Sequence, residues 1–165
     1  VKVALTDGRQ EILLVASNGK AIRFSETDVR PMGRGAAGVR GIRLSDGHEV
    51  IALSILSDGM ILTATENGYG KRTEIADFPV QGRGGQGVIA IQTTDRNGRT
   101  VGALQVSDDD EIMLISSSGT LVRTPVSDIS IIGRNTQGVR LIRLESGQRL
   151  VGLARIEPMG EEEAG

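Results

Sequence analysis

Cysteine is absent from the 165 residues, and tryptophan with it. That excludes disulfides and thiolate metal sites and fits a reducing cytoplasm. Aromatic residues amount to 2%, one Tyr and two Phe, so the core has to be built from Val, Ile and Leu. A single His without thiols argues against a transition-metal centre. No apolar run approaches the roughly 20 residues of a membrane helix, and the N-terminus has no signal-peptide pattern. Nothing in the chain keeps a helical period over three turns. The first residue is Val1 rather than an initiator Met, which reads as a piece of a longer protein.

Glycine is abundant instead, at 23 residues, and its placement is periodic. The stretch Gln81-Gly82-Arg83-Gly84-Gly85-Gln86-Gly87 stands before the apolar run Val88-Ile89-Ala90-Ile91. It reads as a shaped loop that delivers the chain into a strand, with backbone N–H groups open to an anion. Two further copies share its offsets of Gly, Arg, Gly and Val. One runs from Gly33 through Arg34 to Gly38 and Val39; the other runs from Gly133 through Arg134 to Gly138 and Val139. Turn signals repeat at the same interval: Asn18-Gly19, Asn67-Gly68 and Ser118-Gly119, then Gly47, Gly98 and Gly147. A period near 50 residues marks a repeat architecture. The expected units run about 1–50, 51–100 and 101–150, each giving four short strands, with a closing strand to residue 156. Lys2–Leu5, Val39–Leu44, Val88–Thr93 and Val139–Leu144 are among the strands expected. One four-stranded sheet cannot bury both faces, so the units stack as blades of an all-β, propeller-like array. Three blades are few for a closed disc, so a larger disc is implied.

The net charge of −2 hides an asymmetry. Four of the 21 acidic residues, Glu157, Glu161, Glu162 and Glu163, lie in the last nine positions, leaving 17 acids against 19 Lys and Arg, or +2, over residues 1–156. The sequence thus reads as a mildly basic body with a flexible acidic tail at 157–165, a tail expected to compete with any polyanion, DNA included, for the basic positions of the body. Arginines repeat as well. Arg23, Arg72 and Arg123 follow the hairpin turns, with Lys71 beside the second. Arg34, Arg83 and Arg134 sit in the Gly loops. Arg40 matches Arg140 and Arg43 matches Arg143, whereas the middle unit has Ile89 and Gln92 there. Any one of these is accounted for as a solvated residue or the partner of an acid such as Glu74 or Asp128. Three at one offset point to a basic track around the rim, suited to a polyanion held through its backbone. Strict strand alternation would put Arg40 and Arg43 on opposite faces.

Gln81, Arg83, Gly84, Gly85 and Gly87 resemble the gyrase A box, Gln-Arg-Arg-Gly-Gly-Arg-Gly, found in the C-terminal domain of the A subunit of bacterial DNA gyrase. Gly82 and Gln86 depart from it, each removing a positive charge. The resemblance extends over essentially the whole chain. It implies a β-pinwheel, usually of six blades with strands swapped between neighbours, around whose rim duplex DNA wraps. With no complete box, the chain looks like the C-terminal half of that domain. The implied partners are double-stranded DNA, the remainder of the gyrase A protein, and the gyrase B protein. The related domain of topoisomerase IV is the near alternative, and a protein-interaction propeller fragment is the alternative of another class.

Enzyme chemistry finds no constellation. No Ser-His-Asp arrangement is suggested, and no cofactor or metal is expected. His48 reads as a surface residue, and Asp108-Asp109-Asp110-Glu111 as a solvated turn. Nothing beside Tyr69 in sequence would activate it as a nucleophile. Gly82-x-Gly84-x-x-Gly87 fits a dinucleotide loop by spacing, but no helix follows.

Overall fold

Turn chemistry sets the local structure. In a computed structural model describing residues 2–156, β1 (Glu11–Ala16) and β2 (Lys20–Ser25) meet across Asn18-Gly19. Gly19 takes φ +83°, and the Asn18 side chain accepts a hydrogen bond from the Lys20 amide at 3.0 Å. β3 (Val50–Leu56) then pairs with the other edge of β1. The second unit repeats this with β4 (Met60–Thr65), β5 (Tyr69–Glu74) and β7 (Thr100–Val106). The third does so with β8 (Glu111–Ser116), β9 (Leu121–Pro125) and β11 (Leu150–Ile156). A one-turn 3-10 helix closes each hairpin, at Glu26–Asp28, Ile75–Asp77 and Val126–Asp128.

The fourth strand of a sheet does not come from its own unit. β6 (Val88–Ile89) follows β5 in sequence but pairs with β2, placing Ala21 opposite Val88. β10 (Val139–Arg140) follows β9 but pairs with β5, placing Gly70 opposite Val139. The sheet orders are β3-β1-β2-β6, β10-β5-β4-β7 and β11-β8-β9. The four strands expected from each unit's own residues are therefore three, joined in the first two sheets by one handed over from the next unit. Residues 39–44, expected as a strand, form none, because among the described residues no sheet edge lies beside them; Lys2–Leu5 forms none either. The strands expected at 88–93 and 139–144 shrink to two residues each. The Glu cluster expected as an acidic tail lies outside the described residues.

The hand-over explains the last Gly of the second and third loops. Gly87 (φ +76°) and Gly138 (φ +74°) bring the chain so close to the preceding sheet that a Cβ would lie 2.3 Å from the Ala21 carbonyl oxygen and 2.5 Å from that of Gly70. No side chain fits there, and none but Gly adopts that φ cheaply.

Alternation assigns the core. Leu13 and Val15 face the second sheet and bury with Ile61, Phe78, Ala90 and Ala103. Leu62 and Ala64, one step out of phase, face the third sheet and bury with Ile112, Leu114, Val126 and Ile129. Each inter-sheet space is thus a separate apolar layer. β7 touches both β3 and β11, and Gly102 leaves no room for a Cβ against Leu153, so β3, β7 and β11 form the hub. β6 and β10 lie at the opposite, outer edge of their sheets.

Candidate nucleic-acid interface

The cations that repeat in sequence separate into two kinds in space. Those of the first kind hold one blade to the next. Arg23 Nη1 donates to the carbonyls of Ile75 (3.0 Å) and Phe78 (2.9 Å), while its Nε bonds Glu11. One unit later Arg72, 5% exposed, donates from Nε to the Ile129 carbonyl (2.8 Å) and pairs with Asp108. The Gly-loop arginines clamp in the other direction. Arg83 donates to the carbonyls of Asp28 (2.9 Å) and Arg40 (3.2 Å); Arg134 donates to the equivalent carbonyls of Asp77 (2.7 Å) and Ile89 (2.8 Å). Conformations that repeat with the unit thus demand the same Arg at the same offset.

Lys71 goes further inside. It is 0% exposed, and its ammonium donates to the carbonyls of Gly133 (2.6 Å) and Arg134 and to Thr136 Oγ1 (2.7 Å), all in the Gly loop of the third unit. Burial, helped by the nearby Arg134 charge and opposed by Asp77, lowers its pKa from 10.5 to about 8. Grouping Lys71, Arg72 and Arg23 with an open basic track is corrected by these contacts: their heads are spent on protein carbonyls and carboxylates. Asp108 and Glu111, expected in a solvated turn, pair with Arg72 and Arg123. His48 is half-buried rather than a free surface residue, with Nδ1 3.0 Å from Ser17 Oγ.

The second kind is open. Arg34, Arg40, Arg43, Arg140 and Arg143 are exposed. Arg40 and Arg43 are not separated by strand alternation, because residues 39–44 are not a strand. Arg43 stands with Lys20 and Gln86 along one shallow groove beside the first Gly-loop hand-over. Arg123 is 63% exposed and, among the described residues, is partnered by Glu111 without the carbonyls that Arg23 and Arg72 find. Arg83 and Arg134 keep Nη2 outside their clamps.

Around Tyr69 the structure brings together residues that sequence reading left apart. Arg96 lies over the ring at 4.1 Å from its centroid, and Arg140 lies 5.5 Å away with Nη2 2.9 Å from the phenol oxygen. The hydrogen bond from Arg140 lowers the Tyr69 pKa, and the charges of Arg140 and Arg96 add to it. The only signal in the sequence was a lone aromatic at the position where the first unit has Lys20.

The family model described as DNA gyrase C-terminal domain, beta-propeller, matches residues 10–57, 59–107 and 110–157, one match to each sheet. The chain belongs to the DNA gyrase A C-terminal domain family. It is 54% identical over 165 residues to the DNA gyrase A protein of Escherichia coli (strain K12), covering 99% of this chain and 19% of that protein. The Pseudomonas aeruginosa gyrase A protein is also 54% identical over 165 residues, covering 99% and 18%, and that of Mycobacterium bovis 43% over 168, covering 99% and 20%. The chain thus spans about a fifth of these bacterial relatives. Its fold matches a solved DNA gyrase A C-terminal domain with TM-score 0.83 and 28% identity, over 90% of this chain and 51% of that one. It also matches the C-terminal domain of a DNA topoisomerase IV with TM-score 0.88 and 28% identity, over 94% and 49%. Within this gyrase-type fold, the two places where the box loses charge, Gly82 and Gln86, are both exposed. The departures therefore change the surface and leave the Arg83 clamp intact.

Proposed function

We propose that this chain is a non-catalytic DNA-binding and DNA-bending part of a DNA gyrase A protein, supporting negative supercoiling by the full enzyme together with the rest of gyrase A and with gyrase B. The observation that carries the reading is four exposed arginines in or beside the Gly loops, Arg34, Arg40, Arg43 and Arg143, none of which has a side-chain partner among the described residues. Guanidinium groups not consumed by the fold are suited to phosphates, and contact with phosphates alone is independent of base sequence. Arg140, and Arg83 and Arg134 through Nη2, extend the same contact. Catalysis, in this reading, belongs to other domains.

Random-sequence duplex titrated at several salt concentrations tests this. Changing Arg40, Arg43 and Arg143 to Gln removes charge without touching the inter-blade clamps, so folding is retained. Each lost contact lowers the salt slope by about 0.9, so the triple variant loses about 2.7. A slope equal to that of the wild type would remove these residues from the interface.

Three blades make a short path. Bending even a short duplex costs about 1–6 kcal/mol, and Gly82 and Gln86 supply none of the offsetting charge. The chain alone is therefore expected to bind weakly and without a defined hand. Nicked circles ligated in its presence should keep the topoisomer distribution of protein-free circles. A clear displacement at protein levels that cover the circle would show that three blades are sufficient.

A further inference from the structure

We propose that Tyr69, Arg96 and Arg140 form a discrete phosphate subsite on the rim of the middle blade, in which Tyr69 positions two guanidinium groups for one phosphodiester of the DNA backbone. The proposal rests on the DNA-binding reading and adds a place and a mechanism to it.

Three elements converge here. Tyr69 opens β5, Arg140 comes from β10, the strand handed over by the next unit, and Arg96 lies in the loop between β6 and β7. Two like charges gathered on one ring repel each other, yet neither arginine has an ion pair among the described residues. The ring compensates in part, because its π face attracts the Arg96 cation at 4.1 Å. Fixed bonds do the rest. Arg96 donates from Nη2 to the Gly138 carbonyl (3.1 Å) and from Nε to Asn97 Oδ1 (3.2 Å), and Arg140 donates from Nη2 to the phenol oxygen (2.9 Å). Among the described residues, Arg96 Nη1 and Arg140 Nε and Nη1 make no hydrogen bond. Two oriented forks with spare donors and no counter-charge are suited to an oxyanion with several acceptor oxygens. The arrangement occurs once: the first blade has Lys20 and Ile89 at the positions of Tyr69 and Arg140, and the third has Thr120 with no strand opposite.

Tyr69 reports on its own site, because the chain has one Tyr and no Trp. With carbon-13 in the tyrosine Cζ, one resonance follows the ionisation of this phenol. The charged groups facing it are Arg96 and Arg140. The titration is run on the whole chain alone, with random-sequence duplex, and with inorganic phosphate. A phosphate that occupies the forks draws on both guanidinium charges, so Tyr69 is expected to ionise about half a pH unit or more higher in the complex. Arg96→Gln is expected to weaken duplex binding and lower the salt slope by about 0.9. Tyr69→Phe is expected to weaken binding several-fold with the slope unchanged, since it removes orientation and no charge. Duplex binding that leaves the Tyr69 titration in place, or a Tyr69→Phe variant that binds as the wild type does, overturns the proposal. If duplex fails to bind while phosphate still moves Tyr69, the subsite stands and the DNA reading fails. If neither ligand moves Tyr69, the subsite is overturned.

Discussion

Replacing Phe78 by Ala is expected to lower the unfolding free energy by about 3–5 kcal/mol, the range for deleting a buried aromatic ring. Phe78 is 2% exposed and lies in the layer between the first two sheets, among Leu13, Val15, Ala52 and Ala103. Most of those neighbours are small or already fixed by strand pairing, so little can collapse into the space. Its carbonyl also takes the Arg23 guanidinium, so the chain at this point joins the blades twice. Urea unfolding checks the effect. Phe78→Leu, which keeps most of the volume, should cost about 1 kcal/mol. A loss below about 1 kcal/mol for the Ala variant, far under the range for such a deletion, would mean that the two sheets are not held by this layer.

Lys71→Met should cost about 2–3 kcal/mol, because bonds to a charged donor contribute about 1.5–3 kcal/mol each and relief from burying the ammonium offsets part of their loss. Met fills a similar volume but donates nothing, so the carbonyls of Gly133 and Arg134 and the Thr136 hydroxyl lose their common donor. The same residue gives a pH signature of defined sign. Its folded pKa of about 8 lies below the ordinary 10.5, so the unfolded chain holds more protons between those values. Below pH 8 both states carry the proton and the full cost of burying the charge is present. From about pH 8 to 10.5 that cost is relieved, and the unfolding free energy rises with a slope of at most about 1.4 kcal/mol per pH unit. The Met variant should lack this component. Identical pH profiles for the two proteins would show that Lys71 keeps an ordinary affinity for its proton.

The repeat, the hairpins and the all-β class were legible because they depend on neighbours in sequence. Asn18-Gly19 and Asn67-Gly68 turn wherever they occur between apolar runs, and the alternation Ile12-Leu13-Leu14-Val15 fixes which side chains share a face. The identity of the fourth strand was not legible in the residues that form it. Val39, Val88 and Val139 have the same local setting, yet the first is not in a strand and the others pair with a hairpin that precedes them by about a unit. Whether such a stretch becomes a strand is decided by the edge beside it. The arginines show the same limit. Arg23 and Arg140 are both repeated cations in sequence, but the carbonyls that hold Arg23 lie at Ile75 and Phe78, far along the chain. Periodicity revealed that a common cause existed and could not say whether it was a ligand or the neighbouring blade.

Strand hand-over also orders events during synthesis. When β1, β2 and β3 have left the ribosome, β2 still presents a bare edge, and its cover, Val88–Ile89, is made only after β4 and β5. By the time β6 arrives, β5 has become the bare edge, and it waits for Val139–Arg140. The open edge therefore moves forward with the nascent chain, one hairpin at a time, instead of accumulating. Such edges invite pairing with other chains, and charge and proline discourage it. β9, which has no fourth strand among the described residues, carries both in Arg123 and Pro125. The order of translation and the hand-over of the edge are thus written into the same fifty-residue unit.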